Sequence, residues 1–200
     1  MRLWRAVTVA ASAVLLIPCV AQAQSRYPFS IQGSGLYARV LGDAYESIDL
    51  LNGYGFELQG RWTPGALSFG AGYQRTNHSA ESGEWTLSGA FFEPRFVIDV
   101  KSDRFAPYVS GRFSVLHLDG TKDELSASTS GINLNLGGGL LLSLGQAGGG
   151  RSNLDIGATY GYTRFGDFTL AQGGGAETLE SLGSGKNIVI RIGLVIGLGK

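Results

Sequence analysis

Few residues in this chain can do acid–base or nucleophilic chemistry. His78 and His117 are the only histidines among 200 residues, and Cys19 is the only cysteine. An acyl hydrolase built on strands needs a serine, a histidine and an orienting carboxylate within hydrogen-bond reach of one another. Asn77-His78-Ser79 sets two of these types side by side, but neighbours on a strand point to opposite faces, so the pair is poorly placed to share a proton. The stretch also reads as a loop. His117 and Asp119 share strand parity, yet no serine of that parity adjoins them in the sequence. Both histidines are therefore expected to be solvated at or beyond strand ends, and no catalytic residue is assigned. Gly173-Gly174-Gly175 lacks a following Lys-Ser/Thr and reads as a flexible tip, not a phosphate cradle. The composition excludes a Cys/His metal centre, and no cofactor is expected.

The remaining candidates are charged side chains, and their role depends on the faces that the chain's elements give them. Strict alternation recurs, the period-2 signal of strands between two environments. In 188–198, Ile188, Ile190, Ile192, Leu194, Ile196 and Leu198 oppose Val189, Arg191, Gly193, Val195 and Gly197. Segments 132–144 and 154–162 alternate likewise, as do 53–63 and 66–74. With 85–100, 105–118 and a first strand over 29–41, the count is eight. Near Gly33 and Gly35 the apolar residues of that first strand change parity, which leaves its facing ambiguous and suggests a bulge.

Sidedness separates the two readings that alternation allows. A soluble barrel or sandwich turns its large apolar side chains inward. Here the apolar faces carry the large residues, and the opposite faces carry Gly, Ser, Asn, Thr and charges, the pattern of a barrel solvated outside by lipid. Connections of unequal length agree with it. Residues 63–65 and 101–104 are short and 145–152 moderate, whereas 42–52, 75–84, 119–131 and 166–186 are longer, so short turns and long loops alternate and both chain ends fall in the periplasm. Tyr54, Tyr73 and Tyr162 are expected near the outer interface and Trp62 near the inner one.

By the same parity Glu57, Glu93, Asp99 and Asp155 point inward with Arg61, Arg95, Arg112 and Arg191. An eight-stranded barrel leaves room only for side chains to fill it. Four acids and four bases in that space are expected to pair as a lumen network centred on Arg112 and Arg191. The outer loops carry Asp43, Glu46, Asp49, Glu81, Glu84, Asp119, Asp123, Glu124, Asp167, Glu177 and Glu180 against few bases. Plain solubility accounts for such loops, and divalent cations bridging to lipopolysaccharide phosphates are the alternative.

At the N-terminus, Arg2 and Arg5 precede an uncharged run over 6–17, and Ala21-Gln22-Ala23 offers small residues for cleavage after Ala23. The run is too short to span a bilayer, which takes about 20 apolar residues. Residues 1–23 therefore read as a signal peptide and 24–200 as the mature domain. Cys19 permits a lipoprotein reading, but Pro18 precedes it where a small residue is needed. Cleavage removes the sole cysteine and leaves 14 basic against 16 acidic residues, a net charge of −2. That domain holds all 32 glycines of a chain only 16% charged. Its balance and lack of a basic cluster argue against nucleic acid as a partner.

These features resemble the small outer-membrane barrels of the OmpA transmembrane-domain and opacity-protein type over residues 24–200. The carriers are Phe91-Phe92-Glu93-Pro94-Arg95-Phe96, Phe105-Ala106-Pro107-Tyr108-Val109, Gly137-Gly138-Gly139-Leu140 and Arg191-Ile192-Gly193-Leu194. The resemblance implies an all-β, eight-stranded antiparallel up-and-down transmembrane barrel in the outer membrane of a Gram-negative cell. Its partners would be outer-membrane lipid, lipopolysaccharide and the outer-membrane assembly machinery, and it is expected to be a monomer. Ile196-Gly197-Leu198-Gly199-Lys200 departs from the pattern by lacking the terminal aromatic offered to that machinery, and no peptidoglycan-binding module is expected after the barrel. Fold alone does not set activity. The leading expectation is a non-enzymatic structural or surface-interaction protein with a filled lumen, whose loops have an unknown extracellular ligand. A narrow channel for small solutes and a lipid A-modifying enzyme are the alternatives.

Overall fold

A computed structural model describes residues 28–80, 83–122, 125–147, 150–172, 175–179, 181 and 183–198. The signal-peptide reading of 1–23, the glycines Gly173 and Gly174, and the acids Glu81, Asp123, Glu124 and Glu180 lie outside them. Among the described residues the strands are β1 (Phe29–Leu41), β2 (Gly53–Trp62), β3 (Leu67–Ala80), β4 (Gly83–Val97), β5 (Phe105–Lys122), β6 (Leu125–Ala147), β7 (Gly150–Gln172), β8 (Gly175–Leu179) and β9 (Ser184–Leu198). One short helix, α1 (Asp43–Glu46), interrupts the connection from β1 to β2. Among the described residues no helix is long and apolar enough to cross a membrane.

Each barrel strand pairs antiparallel with its neighbours, and β1 closes the sheet against β9. Eight strands form the wall, and β8 pairs only with the outer end of β7. Closure removes the unpaired edges that a lipid solvent would leave unsatisfied.

The facing follows from lipid outside and a narrow interior. Phe56, Leu58, Phe113, Leu134, Leu136, Ile192 and Leu194 are exposed, a belt of large apolar side chains around the wall. Gln32, Glu57, Gln59, Asn133, Thr159 and Arg191 are buried inside it. β1 keeps one register against both partners from Phe29 to Ala38, so the bulge expected near Gly33 is absent. Parity never changes: Gly33 and Gly35 face out, while Leu36, Ala38 and Val40 face in. Val40 belongs to an apolar core at the outer end, whereas Leu36 is the register partner of Arg191.

The expected outer loops are also largely strand. Residues 75–80 continue β3, 119–122 continue β5, and β6 already starts at Leu125. At these two connections the wall rises past the belt, and the ladders run out to the pairs Ala80–Gly83 and Lys122–Leu125.

Candidate functional site

Seven charged side chains from five strands converge in the inner half of the lumen. Glu93 of β4 is the hub. Its Oε2 accepts from Arg112 Nε at 2.7 Å and from Arg191 Nη1 at 2.6 Å, and its Oε1 takes Arg61 Nη1 at 3.3 Å and the Nε of Arg95. Asp155 of β7 accepts from Tyr108 Oη at 2.6 Å and Gln32 Nε2 at 2.7 Å, and pairs with Arg95 Nη1 at 2.9 Å. Glu57 of β2 forms an ion pair with Arg112 Nη1 at 2.7 Å. The guanidinium groups also lie over rings: Arg112 sits 4.0 Å from the Phe91 centroid and Arg95 4.4 Å from that of Tyr108. A buried charge is tolerable only with such compensation.

Asp99 does not join this network. β4 ends at Val97, and Asp99 is exposed in the turn, where its Oδ1 accepts from the Lys101 backbone N–H at 2.8 Å. Asp99 lies two residues past the strand's end, where strand parity no longer sets a side chain's direction. Three carboxylates therefore face four guanidiniums among the described lumen residues, an excess of one positive charge. Arg61 spreads its charge over neutral acceptors: Gln59 Oε1 at 2.8 Å, Ser68 Oγ at 3.2 Å and the Glu93 carbonyl at 3.3 Å. Arg112 and Arg191 both lie at the centre of the network, and the oxygen they share is Glu93 Oε2.

Above the charges lies a polar layer, with Thr163 Oγ1 receiving Asn133 Nδ2 at 2.8 Å, Asn187 Nδ2 at 3.1 Å and Tyr45 Oη at 3.0 Å. Above that layer an apolar roof fills the outer mouth. Val40, Leu50, Trp85, Leu87, Leu116, Leu118, Phe165 and Phe168 are buried there. Tyr45, carried by α1, drops into this roof and meets Phe165 edge-on at 5.6 Å. Its ring lies against Gly185, where any Cβ would collide with it. Reading every inward face as small or polar missed this roof. The signal was present at Val40, an apolar residue on the inward parity of β1.

His78 departs from its expectation, and His117 meets it only in being exposed. His78 is buried inside the outer mouth, with Nδ1 2.9 Å from the Leu51 carbonyl and Nε2 2.9 Å from Thr76 Oγ1. Burial pushes its pKa below the ordinary value, and the Leu51 hydrogen bond opposes that shift. Ser79 faces the other way. His117 is exposed on the outer wall, but it is partnered: Nδ1 lies 2.8 Å from Ser130 Oγ and Nε2 3.1 Å from Asp119 Oδ1. The serine that the sequence did not place beside it comes from β6. His117 and Ser130 are register partners across the β5–β6 ladder, a relationship that single-strand parity does not contain. Among the described residues no group of three His, Cys, Asp or Glu side chains is arranged to hold a metal ion.

No protein-family model matches the chain, and no curated protein matches it. Solved structures do. Neisserial surface protein A aligns with 86% of this chain and 97% of its own at a TM-score of 0.61 and 16% identity. Ail, the attachment invasion locus protein of Yersinia pestis, aligns with 87% of this chain and 100% of its own, at a TM-score of 0.48 and 16% identity. The N-terminal β-barrel domain of Pseudomonas aeruginosa OprF covers 84% of this chain and 97% of its own at a TM-score of 0.46 and 9% identity. A closed antiparallel wall, an apolar belt and a polar interior define an integral outer-membrane β-barrel protein of the eight-stranded class. Within that class, the chain shares its fold with Neisserial surface protein A.

Proposed function

We propose that the barrel is a closed structural element of the outer membrane, non-conducting, whose acidic outer end is a surface for interaction. The observation that carries this reading is the double seal, an apolar roof holding Tyr45 above a layer of arginines locked on Glu93. An ion crossing this lumen would have to displace both. The interior has a structural role and not a catalytic one, since its histidine is held by a backbone carbonyl and a threonine hydroxyl. At the outer end Asp43, Glu46, Asp49, Glu84, Asp167 and Glu177 are exposed, which suits contact with lipopolysaccharide through bridging cations or with an extracellular ligand. Neisserial surface protein A is by name a surface protein, and the same disposition is proposed here. The partners are lipid, lipopolysaccharide and the assembly machinery, and the barrel acts as a monomer.

Two measurements on one variant test this reading. Glu177→Cys in the otherwise cysteine-free mature chain is expected to react with a membrane-impermeant maleimide on intact cells. Liposomes carrying the purified protein are expected to swell in small sugars no faster than empty ones. Labelling only after cell disruption, or rapid swelling, overturns the reading.

A further inference from the structure

Ser130, His117 and Asp119 stand together on the outer wall of the barrel. The distances are those of a proton relay, 2.8 Å from Ser130 Oγ to His117 Nδ1 and 3.1 Å from His117 Nε2 to Asp119 Oδ1. With its proton on Nε2, the nitrogen that faces the Asp119 carboxylate, the imidazole turns the Nδ1 lone pair toward the serine hydroxyl. That is the tautomer a general base needs. All three side chains are accessible: those of His117 and Asp119 are 52% and 50% exposed, and Ser130 is exposed beside them. A relay buried in the fold could be explained as packing, but this one supports no core.

Two further features bear on this spot. Thr129 pairs with Phe168 and Gly131 with Phe165, so Gly166 and Asp167 of β7 together oppose Ser130. This two-against-one bulge interrupts the ladder at the serine, and bulges of this kind re-aim side chains next to active sites. The second feature is depth. Two residues inward on the same face, Val115 and Ile132 are register partners and both lie bare in the lipid-facing belt. The relay is therefore the first polar step above the apolar belt, where the ester linkages of membrane lipids lie. Arg164, exposed on the same face of β7 opposite Ile132, is the cation available to an oxyanion or a lipid phosphate.

We propose that Ser130, His117 and Asp119 form a hydrolytic site for ester-linked fatty acyl chains of the outer leaflet. An acyl chain lies along Val115 and Ile132, which brings its ester carbonyl to Ser130. Ser130 Oγ attacks the carbonyl carbon as its proton passes to His117 Nδ1, and Asp119 stabilises the imidazolium. The ester C–O bond breaks, and the departing alkoxide takes the proton from His117. Water then attacks the acyl-serine, giving its proton to His117, and the Ser130 oxygen recovers that proton as the fatty acid leaves. The sum is ester plus water to carboxylic acid plus alcohol. This goes beyond the closed-barrel reading, which concerns the lumen, and it replaces the expectation that the chain has no enzymatic role.

The test uses the purified mature protein in two kinds of vesicle, one of phospholipid alone and one of phospholipid with lipopolysaccharide, with released fatty acid read by mass spectrometry. Release is expected from at least one kind, and which one identifies the acyl donor. Ser130→Ala and His117→Asn are expected to lower the rate by about a thousandfold or more, and Asp119→Asn by a comparable factor. Ser128→Ala, on the same face of the same strand, is expected to leave it unchanged. Heat-modifiable gel mobility checks that each variant keeps its barrel. No release from either vesicle, or release that survives Ser130→Ala in a folded barrel, overturns the proposal. Neither outcome touches the sealed lumen, which the swelling assay tests separately.

Discussion

Glu93 and Arg191 are 98 residues apart in the chain, yet Arg191 Nη1 donates to Glu93 Oε2 at 2.6 Å across the lumen. Arg112, from a third strand, donates to that same oxygen. One carboxylate thus ties the closing strand β9 to the middle of the sheet, so the pairing that seals the lumen also holds the two halves of the wall together.

Removing that carboxylate is therefore expected to be costly. Glu93→Gln leaves the guanidinium groups of Arg112 and Arg191 without their shared partner, and breaking a buried pair loses about 3 to 5 kcal/mol. Asp99→Asn, in the turn, is expected to change stability by less than about 0.5 kcal/mol. Urea titrations of the folded protein in lipid measure both, and equal losses at the two positions contradict the hub.

The lipid-facing assignment predicts a contrast along the wall. Ile192→Lys puts a charge in the belt and is expected to cost about 2 to 4 kcal/mol, whereas Ser79→Lys, exposed at the outer end of β3, is expected to cost about 0 to 1 kcal/mol. The same titrations apply, and equal tolerance at both sites means that the faces are misassigned.

The wall was legible in the sequence because lipid and lumen impose opposite demands on alternate residues. Ile190, Ile192 and Leu194 face out with Arg191 and Gly193 facing in, as their parity requires. Legibility failed where that opposition weakens. At the outer end the interior is itself apolar and takes Val40, and with Leu36 and Ala38 also buried on that face the sequence of β1 looks like a change of face. Asp99 was misplaced because parity carries no information on where a strand stops. Ser130 was invisible beside His117 for a different reason, since their contact depends on the register between β5 and β6.

His78 predicts a pH dependence of definite sign. It lies at the level of Gly53, one residue outward of the pair Tyr54–Asn77, and burial holds its folded-state pKa below the unfolded value of about 6.5. The unfolded chain then binds the proton first as pH falls. Stability is full above pH ~6.5 and declines as pH drops from there toward the folded pKa. The unfolding midpoint is expected to fall between pH 8 and pH 5, and His78→Gln is expected to flatten that slope. A midpoint that rises on acidification contradicts the assignment.

Tyr45 predicts what the roof does. Tyr45→Ala removes a side chain that is 1% exposed and packs edge-on against Phe165, at a cost of about 3 to 5 kcal/mol. Trp85, buried in the same roof, is expected to become open to iodide quenching, read in a Trp62→Phe background to remove the exposed indole. Unchanged quenching means that α1 is not a plug.

The central claim is that side chains close this lumen, and single-channel recording in a planar bilayer tests it most directly. The unmodified protein is expected to give no steady conductance. The double variant Tyr45→Ala with Glu93→Ala, which removes both seals, is expected to give openings if it folds. Steady, reproducible conductance from the unmodified barrel contradicts the account and makes the protein a channel.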